Sequence, residues 1–232
     1  MSLPAVRKLL REAADPADAE GALRYFKTAP GQYGHGDRFL GIRAAPLRRI
    51  AKACDDLTLE DLAKLLDSDW HEERSLALLS MVRRYAKRPD ERDALYALYF
   101  EKLGRINNWD LVDVSAADIV GAHLRERSRA PLTKLARSKS VWERRVSIIA
   151  TLHFIRRGEF DETLRIARIL LHDQHDLIHK AVGWMLREVG NRDRAAEQAF
   201  LREHAAGMPR TMLRYALEKF PQAQRLAFMN AR

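Results

Sequence analysis

Apolar residues fall at helical spacing almost from one end of the chain to the other. Leu3 to Ala13 carries Val6, Leu9, Leu10 and Ala13 on one face, the stripe of an amphipathic helix. Asp15-Pro16 reads as an N-cap followed by proline at the first helical position, opening a second helix to about Lys27. From Pro46 onward the pattern is helix, short turn, helix. Thr58 with Asp61 resembles a capping box ahead of Leu62, Leu65 and Leu66. Further helices are predicted over 70–86, 90–102, 107–124, 129–137, 140–156, 161–171, 176–189, 193–205, 208–219 and 221–229. No segment reads convincingly as a strand. The irregular stretch is Thr28 to Ala45, which holds Pro30, Gly31, Gly34, Gly36 and Gly41. It exceeds the usual loop of about 4–6 residues, and long loops are often functional. Its glycines lack the G-x-G-x-x-G spacing and the preceding strand of a phosphate cradle.

The helices repeat. Arg74-Ser-Leu-Ala-Leu-Leu, Arg145-Val-Ser-Ile-Ile-Ala and Lys180-Ala-Val-Gly-Trp-Met each open with a cation and continue apolar. Arg145 lies 71 residues after Arg74, and Lys180 lies 35 after Arg145. Half of the first interval lands on Trp109 or Asp110, and 34 residues beyond Lys180 stands Arg214. A period near 35 with two helices per unit is the signature of an α-solenoid. The expectation is therefore an all-α fold: a single domain, 1–232, of HEAT-like antiparallel helix pairs. Stacked units put equivalent helices on one wall. Arg74, Trp109, Arg145, Lys180 and Arg214 are expected to form a row there, making the concave groove basic.

Composition agrees with a helical, globular chain. Of 232 residues 47% are hydrophobic and 31% charged, and glycine (11) and proline (8) are sparse, which disfavours a turn-rich all-β fold. The lone Cys54 excludes an internal disulfide and fits a reducing cytoplasm. It reads as a small buried hydrophobe rather than a nucleophile. No window approaches the roughly 20 apolar residues of a membrane span, and Met1 to Asp15 does not read as a signal peptide. The expectation is a cytoplasmic monomer. Net charge is +9 and the pI about 9.9, which implies an anionic partner, nucleic acid first.

Three stretches carry candidate chemistry. In Asn107-Asn108-Trp109-Asp110-Leu111-Val112-Asp113 an indole and a carboxylate stand four residues apart, on one helical face. Asn107 or Asn108 caps that helix, and Asp110 suits the positive end of its dipole. The plainer reading makes Trp109 core and Asp113 solvated. Val141-Trp142-Glu143-Arg144-Arg145 precedes an apolar helix. In Lys180 to Glu188 a single face holds Lys180, Trp184 and Arg187, and Gly183 leaves room for close approach. His172, His175 and His179 fall at spacings of three and four, but no carboxylate or cysteine completes a ligand set in an obvious way. No metal and no cofactor is expected.

Asn108-Trp109-Asp110-Leu-Val-Asp113, Trp142-Glu-Arg-Arg145 and Ala181-Val-Gly-Trp184-Met-Leu-Arg187-Glu188 resemble the AlkD family of bacterial DNA alkylation repair glycosylases. Phe39-Leu40-Gly41-Ile42-Arg43 is similar to a loop of that family. The resemblance covers nearly the whole chain. It implies excision of N3- and N7-alkylated purines from duplex DNA held in a basic groove. By resemblance Asp113 matches the catalytic aspartate, Trp109 and Trp184 the groove tryptophans, and Arg145 the groove arginine. Lys180, Arg187, Arg144 and Arg74 join it as candidate DNA contacts. An alkylated purine already carries positive charge, so the leaving group needs no general acid. One ionised carboxylate can oppose the oxocarbenium-like sugar and hold the attacking water. The alternative is a non-catalytic scaffold binding DNA or an acidic protein, which has no need of a carboxylate in a basic row. An RNA-binding repeat protein would want stacking side chains in every repeat, and here only one or two repeats have them.

Overall fold

A computed structural model of the protein describes residues 1–230. Its described residues form helices and no named strand; one isolated bridge pairs Arg38 with Trp70. The chain divides into two compact units, Met1–Ile119 and a second that begins at Val120. No helix of the described residues is long and apolar enough to cross a membrane.

The first unit holds α1 (Leu3–Glu12), α2 (Pro16–Tyr25), α3 (Ala44–Lys52), α4 (Leu59–Leu66), α5 (His71–Lys87), α6 (Arg92–Glu101) and α7 (Trp109–Asp113). Local chemistry sets the helix starts. The Asp15 carboxylate accepts the N–H groups of Ala17 and Asp18 ahead of α2. Thr58 and Asp61 exchange the two bonds of a capping box at α4. α5 buries Leu76, Leu78 and Met81 against α3 and α4. Cys54, after α3, is fully buried, and burial pushes its thiol up to about 11.

The second unit holds α8 (Ala122–Leu124), α9 (Ala130–Ala136), α10 (Val141–Ile149), α11 (Leu152–Ile155), α12 (Asp161–Ile169), α13 (Asp176–Gly190), α14 (Arg194–His204), α15 (Arg210–Ala216) and α16 (Gln222–Asn230). α10 packs on α9 and α13, and α13 packs on α15. His175 caps α13 through its ring, which accepts the Leu177 N–H.

Two expected helices are interrupted. The predicted 107–124 helix ends at Asp113 and resumes through a π-helical turn, Ala117–Gly121. There the Ser115 hydroxyl donates to the Leu111 carbonyl at 2.6 Å. The predicted 140–156 helix breaks between Ile149 and Leu152, where the Thr151 hydroxyl donates to Ile148 at 2.7 Å. Hydroxyls bonding back to helix carbonyls bend helices in this way.

Burial also corrects the register of the repeat. Leu76, Leu111, Val146 and Ala181 are spaced by 35 and wholly buried. They make Ser75, Asp110, Arg145 and Lys180 equivalent, and Arg74, Trp109, Arg144 and His179 a second set. The Arg74 and Arg144 guanidiniums accordingly do the same job: each donates to the carbonyl of the serine six residues earlier, Ser68 and Ser138. The row expected from the sequence mixed the two sets, because a cation occurs in both.

Gly183 allows α13 to approach α15 closely: a Cβ there would lie 2.4 Å from the Met212 carbonyl oxygen and 2.5 Å from the Tyr215 Cβ. Gly183→Ala is expected to cost about 1–3 kcal/mol, the usual range for overpacking a tight contact, as a lowered midpoint in chemical denaturation. An unchanged midpoint would mean that the two helices separate freely.

Candidate active site

α7 begins and ends on the two residues of interest. The Asn108 side chain accepts the Trp109 N–H at 2.8 Å, which fixes the first turn. Trp109 and Asp113 are the first and last residues of the helix, and both are half-buried. The Trp109 ring stacks on Phe26 with centroids 5.4 Å apart and meets Tyr25 edge-on at 5.8 Å. Behind it Phe26 stacks on Phe39, and Phe39 on the His71 ring at 4.7 Å. The indole is thus the outer member of an aromatic pile drawn from α2, the long loop and α5. Below Asp113 the buried Tyr99 hydroxyl meets Ser115 at 3.2 Å. Burial first, and the Asp113 charge in addition, push that hydroxyl up against the lowering effect of Ser115.

The pile rests on a buried polar chain. His71 bonds Asp37 through Nδ1 at 3.1 Å and Asp110 through Nε2 at 2.8 Å. Asn108 Nδ2 also reaches Asp37, at 3.3 Å. Arg74 completes the chain with an ion pair to Asp37. Burial alone pushes the His71 pKa down, but the hydrogen bonds and charges of Asp110 and Asp37 outweigh it and raise it to about 9. Burial likewise raises Asp37, and there His71 and Arg74 win and hold it below the usual carboxylate range. Beside them the buried Glu72 carboxylate accepts the N–H groups of Leu40, Gly41 and Ile42 at 2.8–3.2 Å. Gly41, at φ 80°, is forced: a Cβ would lie 2.0 Å from the Asp15 carbonyl oxygen.

In the second unit Trp184 is half-buried on α13, and its indole N–H donates to Glu188 at 3.3 Å. Lys180 pairs with Asp176 at 2.7 Å. Arg187 pairs with Glu218. Arg144 holds Asp173 at 2.6 Å. Arg145 is 5% exposed and donates to the Leu177 carbonyl at 2.6 Å.

Two of the expected DNA contacts lie in the interior of their units. Arg74, 2% exposed, is an interior cation that neutralises Asp37. Arg145 is also interior and braces the turn of α13 that precedes Lys180. The spacing located both but did not reveal the acceptors that draw them inward. The His71-Asp37-Asp110 chain escaped the sequence reading altogether. Its available signal was the run His71-Glu72-Glu73-Arg74, four polar residues directly before the buried stripe of α5, all of them buried. Among the described residues no cluster of three or more His, Cys, Asp and Glu has the arrangement of a metal site.

These features define an all-helical, solenoid-like protein in which one short helix, α7, carries an indole at its first residue and a carboxylate at its last. A solved structure described as a predicted DNA alkylation repair enzyme from Enterococcus faecalis shares this fold. The TM-score is 0.70 over 90% of this chain and 97% of that one, at 18% identity. Residues 6–220 match the family model described as DNA alkylation repair enzyme, and the chain belongs to that family. No curated protein matches.

In the unfolded chain His71 titrates near 6.5, and in the folded protein near 9. Folding therefore favours the imidazolium. Its contribution, at most roughly 3 kcal/mol, is complete below about pH 6.5 and is lost as pH rises through 9. The stability difference between the wild type and His71→Asn should shrink across that window in denaturant titrations. A difference constant from pH 6 to 10 would contradict a charged His71.

Proposed function

We propose that the protein is a DNA glycosylase that excises positively charged N3- and N7-alkylated purines from duplex DNA, with Asp113 as its catalytic carboxylate. The observation that carries this reading is α7 itself, a five-residue helix with an indole at one end and a half-buried carboxylate at the other. Asp113 supplies the negative charge that opposes the developing sugar cation and an acceptor for the attacking water. Trp109, backed by Phe26 and Tyr25, presents a π surface to a cationic nucleotide. Trp184 is proposed to offer a second π surface to the nucleotide. Lys180 and Arg187, with Arg144, are the cations offered to phosphates. On this reading residues 1–232 work as one HEAT-like domain acting on DNA as a monomer, without a cofactor.

A second reading, a non-catalytic scaffold, is favoured by one observation. Lys180, Arg187 and Arg144 already face carboxylates, so phosphates must compete for them. Catalysis separates the two. Asp113→Asn keeps the shape and removes the charge. Single-turnover release of N7-methylguanine should slow by on the order of 10²–10³, with affinity for alkylated DNA unchanged or slightly tighter. Wild-type release by this variant would remove Asp113 from the mechanism.

Binding supplies an independent check. Each phosphate neutralised releases counterions, so affinity for duplex DNA should fall with salt, and Lys180→Ala should flatten the log–log slope by about 0.9. Salt-insensitive binding would favour the scaffold.

A further inference from the structure

α7 is five residues long, too short to hold its own direction, since an isolated helix below about 12 residues is marginal in water. Leu111 and Val112 are wholly buried and keep it on the core, but apolar contact is non-directional. Its direction comes from polar bonds at its start. Asn108 caps it, and the same side chain reaches Asp37 Oδ2 at 3.3 Å. Asp110, in the first turn, is held by His71 Nε2 at 2.8 Å. That is the only hydrogen bond of the Asp110 carboxylate among the described residues, and its Oδ1 is buried without one. Both anchors of α7 therefore meet at one ring. His71 bonds Asp110 through Nε2 and, through Nδ1, the Asp37 oxygen that Asn108 also holds.

A protonated imidazole donates from both nitrogens, whereas a neutral one donates from one and accepts at the other. Neutral His71 must turn a lone pair toward a buried carboxylate. If that carboxylate is Asp110, its single bond is lost and the first turn of α7 is pushed away. If it is Asp37, the oxygen that steadies the Asn108 cap is pushed instead. Asp113 ends the same short helix, so either displacement reaches it. The other groups around the ring give no relief. α5 supplies Arg74, committed to Asp37, and Glu72, taken up by three backbone N–H groups. Beyond Asp37 the long loop offers the ring of Phe39, and α2 offers that of Phe26.

We propose that His71 is a positioning residue for excision: with a proton on each ring nitrogen it aims α7, and with α7 Asp113 and Trp109, and excision fails when one of those protons leaves. The inference rests on the glycosylase reading above and adds an alkaline limit to it. Burial works against the second proton, but the hydrogen bonds and charges of Asp110 and Asp37 outweigh it and keep the ring protonated up to about pH 9. α7 is therefore aimed below that pH and released above it.

Asp110→Asn separates the proton from the position. An amide turns its oxygen toward a protonated ring and its N–H toward a neutral one, so α7 is held in both states. Single-turnover release of N7-methylguanine by the wild type should fall as pH rises through 9, and the variant should lack that fall. The ratio of variant to wild-type rate cancels the substrate's own titration. It should be level from about pH 6 to 8 and rise roughly tenfold between about pH 8 and 10. His71→Gln, which has no titrating ring, should be slower than the wild type at neutral pH and should also lack the fall. A merely structural role would lower the rate equally at every pH. A ratio that stays level to pH 10 with either variant overturns the proposal.

Trp109 emission, taken as the difference between each protein and its Trp109→Phe version, reads the same coupling without substrate. It should change through pH 9 in the wild type and stay constant in Asp110→Asn. That result in a protein that excises no base upholds the positioning of α7 and overturns the glycosylase reading. Excision with a level ratio, and Trp109 emission that changes alike in both proteins or in neither, leaves that reading intact and overturns the positioning.

Discussion

A protonated histidine held between two carboxylates fixes the first unit. His71 touches Asp37 from the loop and Asp110 from the first turn of α7, and it does so from the first turn of α5. Burying three ionised groups in one place is expensive unless each charge is matched and hydrogen-bonded. Arg74 supplies the fourth charge and brings the set to neutrality. Three segments far apart in sequence therefore reach their positions together. Removing any one of the four would strand an opposite charge in the interior. The aromatic pile that ends in Trp109 stands on this set, because Phe26 and Phe39 both lie against the His71 ring.

The helical skeleton was largely legible in the sequence because its determinants are local. Asp15-Pro16, Thr58 with Asp61 and the apolar stripes of α4, α10 and α13 announce themselves within a few residues. The interruptions after Asp113 and near Ala150 were not legible. They depend on whether Ser115 and Thr151 turn their hydroxyls back onto the helix, which the residue types alone do not decide. The period of 35 was visible. Its phase was fixed only by burial, since Arg144 and Arg145 stand side by side and either one fits the pattern.

The placement of the candidate site residues was legible in part for the same reason. Trp109 and Asp113 are neighbours on one turn of helix, so their spacing alone placed them together. Asp37, His71 and Asp110 are separated by 34 and 39 residues, and nothing local marks them as partners. Arg74 and Arg145 show the converse. A cation at a regular spacing says where the side chain starts, whereas the acceptor it meets decides whether it ends in water. Asp37 claims the first and the Leu177 carbonyl the second.

Cys54 has a practical consequence. It is the chain's sole cysteine, it is fully buried, and its thiol is held up near 11. A thiol on the surface, with a pKa near 8.5, exposes roughly 300-fold more thiolate at neutral pH. Maleimide and iodoacetamide probes react with the thiolate. A cysteine introduced at an exposed position would therefore take the label while Cys54 stayed silent, with no need to mutate the native residue first. Pairs of such positions make the separation of the two compact units open to measurement by fluorescence or spin labels in the otherwise unaltered sequence.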